Sequence, residues 1–129
     1  KKSEWRKAKA SPPARTSMGR TIWHDAPRKR MLLVGGGQLD AWAKGKAPHH
    51  REVYAFDPLK ETVQRLADAP TALYEAHLAH DRKRDLFYTA AAFNKKEQPS
   101  GMWALDPSKD EWREIRPDGG LPPHSGWFG

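Results

Sequence analysis

The sequence predicts an all-β fold built from four-stranded antiparallel sheets, and three observations lead to it. An internal repeat of about fifty residues covers most of the 129-residue chain, and a period of that length indicates one small supersecondary unit per copy. Eleven prolines and ten glycines favour short strands joined by tight turns over long helices. Six tryptophans, four phenylalanines and three tyrosines supply core side chains that a disordered basic linker lacks.

The repeat is visible as an ungapped match between residues 54–66 and residues 103–115, at an offset of 49 residues. Upstream, Trp23-His24-Asp25 matches Ala79-His80-Asp81 at an offset of 56 residues. The two offsets differ because the first copy contains a longer loop. A third copy is indicated at the amino terminus, where Glu4-Trp5-Arg6 is similar to residues 111–113.

Each copy is predicted to contain four short strands. They are Ser17–His24, Met31–Val34, Val53–Phe56 and Val63–Leu66 in the first copy, and Tyr74–His80, Leu86–Ala92, Met102–Leu105 and Glu111–Ile115 in the second. The second strand of each copy has a continuous apolar run, Met31–Val34 and Leu86–Tyr88, so both faces of these strands are expected to be covered.

The expected turns agree with these strands. Asp57-Pro58 and Asp106-Pro107 place aspartate first and proline second, the arrangement that favours a type I turn. Asp25 and Asp81 begin the other two hairpins in the same way. Gly35-Gly36-Gly37 follows the second strand, where a positive φ or the close approach of another backbone is expected.

The sequence resembles the kelch repeat, which has a double glycine after its second strand, then an aromatic-Asp-Pro turn, and a tryptophan seven positions beyond the aromatic residue. The matching positions are Gly35, Gly36, Phe56, Asp57, Pro58 and Val63 in the first copy, and Leu105, Asp106, Pro107 and Trp112 in the second. Thr89 and Ala90 are expected at the glycine positions of the second copy. The resemblance implies β-propeller blades, one four-stranded antiparallel blade per repeat.

On this resemblance, residues 1–13 are expected to end a preceding blade with its outer strand and a linker. Residues 14–66 and 67–115 then form two blades, and residues 116–129 start a following one. Two blades form a partial ring, completed by further blades of the same chain or by copies of it. Trp5 and Trp112 are expected to pack between blades, and Trp23 and Trp103 to lie in the core.

Catalytic chemistry finds little support in the residues. The chain has no cysteine, which excludes a disulfide, a thiolate metal site and the cysteine-modified tyrosine of galactose oxidase within this segment. His77 and His80, three residues apart on a strand, point to opposite faces, so they do not share a metal. His24 and His80 are expected to be structural turn or core histidines. No catalytic site, metal or cofactor is therefore predicted here.

The chain is basic, with a formal charge of +7, and contains no apolar run long enough to span a membrane. Basic residues lie in both sets of loops, which does not favour a nucleic-acid partner because phosphate tracking needs one positive stripe. No targeting signal is visible, so a soluble segment is expected and its compartment stays open.

Function is expected to lie in loops. The strand order places residues 38–52 and 94–101 at one end of the blades, and long loops of this kind commonly bind partners. The candidate binding residues are Trp42, Lys44, Lys46, His49, His50, Arg51, Asn94, Lys95 and Lys96. The sequence favours a scaffold for a protein or glycan partner. Two alternatives stay open: part of a galactose-oxidase-like or glycan-processing enzyme whose site lies in other blades, and a self-assembling fragment without a ligand.

Overall fold

The computed structural model describes residues 4–11, 19–38, 44, 50–74, 76–91 and 101–119, which form two four-stranded antiparallel sheets. The strands are β1 Thr21–Asp25, β2 Arg30–Val34, β3 Val53–Asp57, β4 Thr62–Arg65, β5 Leu78–Asp81, β6 Leu86–Ala91, β7 Gly101–Asp106 and β8 Glu111–Ile115. A single turn of 3-10 helix, Ala26–Arg28, joins β1 to β2. Strands β1 to β4 form the N-terminal sheet and β5 to β8 the C-terminal sheet, each in sequence order. The prediction of an all-β fold with four-stranded antiparallel sheets is confirmed.

Each of the four hairpins starts with an aspartate and ends, four residues later, with a residue of positive φ. These end residues are Lys29, Glu61, Asp85 and Asp110, with φ between 51° and 57°. In three of the turns the starting carboxylate, that of Asp57, Asp81 or Asp106, accepts two backbone N–H groups of its own turn. The aspartates of the sequence repeat therefore act locally, by satisfying turn donors that the sheet leaves unpaired.

Asp25 differs from the other three turn aspartates. The residue two positions after it is Pro27, which has no N–H to donate, so this turn cannot form the same pair of bonds. Its carboxylate is fully buried and instead accepts hydrogen bonds from Arg28 Nη1 at 3.0 Å and Arg30 Nε at 2.8 Å. Burial of a charge requires such partners, and here they come from the same hairpin.

The two sheets pack face to face around one apolar core. The N-terminal sheet contributes Leu32, Val34, Val53 and Ala55, and the C-terminal sheet contributes Leu78, Phe87, Trp103 and Leu105. Trp23 and Trp112 pack at its margin, as expected for Trp112 between neighbouring sheets. Residues 66–74 and 76 belong to the segment that crosses from one sheet to the other, and they add Leu66, Ala69, Leu73 and Ala76.

The double glycine lies where this crossing segment passes β2. Gly35 has φ +58° and Gly36 φ +100°, and a Cβ on Gly35 would lie 1.9 Å from the carbonyl oxygen of Leu73. The Gly36 N–H donates to that same oxygen at 2.7 Å. The predicted reasons for glycine, a positive φ and close backbone approach, both hold at Gly35.

The first strand of each sheet starts later than predicted. Gly19 adopts φ +65°, which interrupts an extended strand, so β1 begins at Thr21. The β5 strand begins at Leu78 because the preceding backbone binds elsewhere: the Ala76 carbonyl accepts the Thr21 hydroxyl at 2.5 Å, and Leu73 binds the loop at His50. Of the predicted first strand, residues 17 and 18 lie outside the described residues.

Trp5 is fully exposed and none of residues 4–11 pairs with either sheet, so the expected packing of Trp5 between blades stays a prediction. Two further expectations need correction. Thr89 does not occupy a glycine position: it is buried in the middle of β6, opposite Leu78 and Trp103. Because the β1–β2 and β5–β6 turns have the same length, the residue of the C-terminal sheet equivalent to Gly35 is Ala91. The outer face of β2 is only half covered, at Met31 and Leu33.

Candidate recognition surface

The two ends of the sheets carry different connections. Because both sheets are antiparallel meanders, the four turns β1–β2, β3–β4, β5–β6 and β7–β8 lie at one end, which we call the hairpin end. The connections β2–β3, β4–β5 and β6–β7 lie at the other, the loop end. This division matches the sequence prediction, which placed the candidate binding residues at the loop end.

Backbone hydrogen bonds hold the base of the loop end. The Gly35 N–H donates to Glu52 O at 3.0 Å, and the His50 N–H donates to Gly36 O at 2.8 Å. The Leu73 N–H then donates to His50 O at 3.1 Å, so the β2–β3 loop and the crossing segment are joined. Such bonds depend little on side-chain identity, which leaves the loop beyond them free to vary.

His50 and Arg51, two of the predicted binding residues, contribute to this base. His50 Nδ1 lies 3.2 Å from Glu52 Oε2, and its side chain is largely buried. Arg51 Nε donates to Ala69 O at 2.6 Å, while the Ala69 N–H donates to Arg51 O at 2.8 Å. Both residues therefore connect the loop to the crossing segment, a role that the sequence pattern did not reveal.

Lys44 is exposed, as a binding residue must be. The remaining predicted binding residues lie outside the described part of the chain. They are Trp42, Lys46, His49, Asn94, Lys95 and Lys96.

The hairpin end contains a polar network that joins the two sheets. Arg28, which binds Asp25, also donates from Nη2 to Asp85 Oδ2 of the other sheet at 2.5 Å. Arg30 Nη2 donates to the Pro107 carbonyl at 3.1 Å, again across the sheets. The Arg28 guanidinium lowers the pKa of Asp85, and His80, with Nε2 at 3.1 Å, lowers it further.

Sequence reasoning did not find this network. It counted the basic residues of the hairpin loops only as charge spread over both sets of loops. One signal was present in the sequence: Pro27 removes a donor that the turn aspartate otherwise binds, so Asp25 needed other partners. The partner in the second sheet, Asp85, could be placed only after both turns were known to have equal length.

The remaining turn and repeat residues make contacts within the fold. A hydrogen bond from the Ser108 hydroxyl, followed by the backbone N–H groups of Ser108 and Lys109, lowers the pKa of Asp106 to about 2. Trp112 Nε1 donates to Ala67 O of the crossing segment at 3.2 Å. Leu105 and Pro107 are buried, Phe56 and Val63 half-buried, and Pro58 exposed.

The histidines and acidic residues form no metal centre in the parts of the chain that the structure describes, where no three of these side chains come together. His80 stacks on Phe87, with ring centroids 4.2 Å apart, which agrees with the structural role expected for it. His24 and His77 are exposed. Within the same described ranges, no helix is long and apolar enough to cross a membrane.

Comparison with known proteins gives no match: the chain fits no family model and no curated protein.

Proposed function

We propose that the chain is part of a kelch-type β-propeller that serves as a protein or glycan interaction scaffold, with the loop end as its binding surface. The observation that carries the proposal is the different use of the two ends. At the hairpin end, Arg28, Arg30 and the turn aspartates make contacts within and between the sheets, whereas the described base of the loop end is joined mainly through backbone groups.

The contacts at the hairpin end support this division. Arg28 and Arg30 bind groups of both sheets, and three further turn aspartates bind the backbone of their own turns. Changing these residues would alter the packing of the scaffold. A partner site that varies while the fold is kept belongs where sequence changes cost little stability, which favours the loop end.

Lys44 and Trp42 are the residues to test. Trp42 comes from the same predicted loop as Lys44, and tryptophan is the residue type most enriched among residues that dominate binding energy. We expect Trp42→Ala to weaken partner binding about tenfold or more, and Lys44→Ala less. Lys60→Ala is the matched control, because Lys60 is an exposed lysine at the hairpin end whose side chain is 78% accessible.

The measurement has a protein arm and a glycan arm. Immobilised full-length chain is incubated with a cell extract, and labelled chain is applied to a panel of immobilised glycans; bound material is quantified for each variant. Urea unfolding confirms that the three variants keep the stability of the unmodified chain. Equal losses for Lys44→Ala and Lys60→Ala, with no loss for Trp42→Ala, would overturn the proposal of a loop-end site.

A further inference from the structure

The outer face of the N-terminal sheet corresponds, position by position, to the buried inner face of the C-terminal sheet. Strand register and equal turns make Ile22 equivalent to Leu78, and Met31 to Phe87. Leu78 is 2% exposed and Phe87 is fully buried, because the N-terminal sheet covers them. Ile22 is 56% exposed and Met31 half-exposed. The N-terminal sheet therefore has the apolar face of an interface, and among the described residues no further sheet lies against it.

The amino-terminal segment is already docked beside this face in the manner of a neighbouring sheet. At the existing interface, the Ala67 N–H donates to both carboxylate oxygens of Asp110 at 2.9 Å. The equivalent of Asp110 in the N-terminal sheet is Glu61, and Glu61 Oε2 accepts the Lys9 N–H at 3.0 Å. Arg6 also binds the Glu61 carboxylate.

The repeat explains why Lys9 occupies this position. Aligning Glu4-Trp5-Arg6 with residues 111–113 makes Lys9 equivalent to Arg116, and the offset of 49 residues makes Arg116 equivalent to Ala67. Two observations, the sequence alignment and the hydrogen bond to Glu61, thus independently give residues 4–9 the place that residues 62–67 have in the N-terminal sheet. Residues 4–8 correspond to a fourth strand whose three partner strands are not among the described residues.

Charge at the hairpin end defines what can cover this face. In the C-terminal sheet, Asp85 lies beside His80 and accepts Arg28 of the covering sheet. At the equivalent positions the N-terminal sheet has Lys29 beside the exposed His24. With a lysine in place of the aspartate, the covering sheet needs a carboxylate where Arg28 stands.

A second copy of this chain does not meet that requirement. Its C-terminal sheet would present Arg84, the equivalent of Arg28, to Lys29, which places like charges together. Its Leu86, the equivalent of Arg30, has no donor for a carbonyl across the interface. The acceptor Glu61 is already bound to Lys9 and Arg6 of its own chain.

We propose that the outer face of the N-terminal sheet is a docking surface for a further four-stranded sheet of the same repeat. In that sheet residues 4–8 are the fourth strand, and the first turn carries a carboxylate opposite Lys29. The proposal rests on the β-propeller part of the proposed function and adds the chemistry of the neighbouring sheet; because this interface is away from the loop end, its test can fail independently of the binding test.

The test supplies the three missing strands. A copy of residues 76–110, which contains β5 to β7, is joined directly in front of Glu4 of the otherwise full chain, since Glu4 is equivalent to Glu111. Two forms are compared: the appended copy with its arginine at position 84, and the same copy with Arg84→Asp. Each form is also made with Lys29→Asp in the original chain, giving four proteins with like or opposite charges.

Trp5 is the reporter, because it is fully exposed in the chain without the addition. The fluorescence of Trp5 is the part of the emission that is lost in a Trp5→Phe variant, and its quenching by acrylamide measures the accessibility of Trp5. Hydrogen exchange measures the protection of the amides of residues 5–8. We expect shielding of Trp5 and at least about tenfold slower exchange in the added forms. The two opposite-charge forms should unfold at higher urea concentration than the two like-charge forms.

Any of three results would overturn the proposal. Trp5 as accessible and amides 5–8 as fast in all four forms as in the unextended chain, while the amides of the added strands exchange slowly, would show that these residues are not a fourth strand. Equal urea midpoints for like and opposite charges would remove the role of Lys29. The third result comes from sedimentation of the unextended chain. If the chain self-associates and Ile22→Lys abolishes the association, a second copy covers this face, which contradicts the proposal.

Discussion

The two sheets share a repeat, yet equivalent residues have different surroundings in each. Leu78 and Phe87 of the C-terminal sheet are covered, whereas Ile22 and Met31, at the same positions of the N-terminal sheet, are partly open to solvent. All four side chains are apolar. The comparison teaches that the repeat sets which residues face a neighbour, while the neighbour itself determines how much they stabilise the fold.

The largest expected difference is between truncating a covered side chain and truncating the equivalent open one. Leu78→Ala removes a side chain that is 2% exposed, so we expect a loss of about 2–5 kcal/mol in the free energy of unfolding, from lost transfer and a new cavity. Ile22→Ala, at the equivalent position, should cost less than about 1 kcal/mol, because Ile22 is already 56% exposed. Urea unfolding of both variants measures the difference. Equal costs would contradict the assignment of covered and open faces.

The double glycine provides the second contrast, since the C-terminal sheet has Ala91 where the N-terminal sheet has Gly35. Gly35→Ala places a Cβ at φ +58° and against the Leu73 carbonyl, so we expect a loss of about 2 kcal/mol or more. Gly119→Ala is the control, because its Cβ meets nothing within 4 Å. Thermal unfolding compares the two. A Gly35→Ala protein as stable as Gly119→Ala would show that the loop base tolerates a side chain there.

Local patterns predicted the strands well because the information lies within each hairpin. The six strands other than β1 and β5 needed only one hairpin's turn signal, such as Asp57-Pro58 or Asp106-Pro107, and the pattern of the residues beside it. The starts of β1 and β5 were missed because they depend on distant contacts: a Cβ on Gly19 would clash with Tyr74 of the crossing segment, and the Ala76 carbonyl accepts the hydroxyl of Thr21 in the other sheet. The pairing of Arg28 with Asp85 was missed for the same reason: it depends on which turns meet across sheets. For the candidate site, the sequence predicted that the long connections lie at one end of the sheets. The roles of His50 and Arg51 in the loop base could not be predicted, because they depend on Ala69 and Leu73 of the crossing segment.

A smaller effect is expected at the repeat's tryptophan position. Trp112 donates its indole N–H to Ala67 O at 3.2 Å, whereas its equivalent Val63 has no donor. Trp112→Phe keeps most of the apolar contact and removes the bond, so we expect a loss of about 1 kcal/mol in the free energy of unfolding. Val63→Leu, which changes no hydrogen bond on the half-exposed face, is the matched control. A loss no greater than that of the control would show that the bond contributes nothing.

The smallest predicted effect is a difference in how the stability of Asp85 and Lys29 variants depends on pH. Arg28, and then His80, lower the pKa of Asp85 in the folded protein below the unfolded value of about 3.9. A lowered folded pKa means that the stabilisation is fully present above about pH 4 and is lost as the pH falls through the folded value. Asp85→Asn should therefore flatten the acid side of the stability profile, by less than about 1 kcal/mol because the side chain is 37% exposed. Lys29→Gln should leave the shape of that side unchanged, since it removes no carboxylate. If the two variants showed the same acid profile, the bond between Arg28 and Asp85 would not be the source of the difference between the sheets.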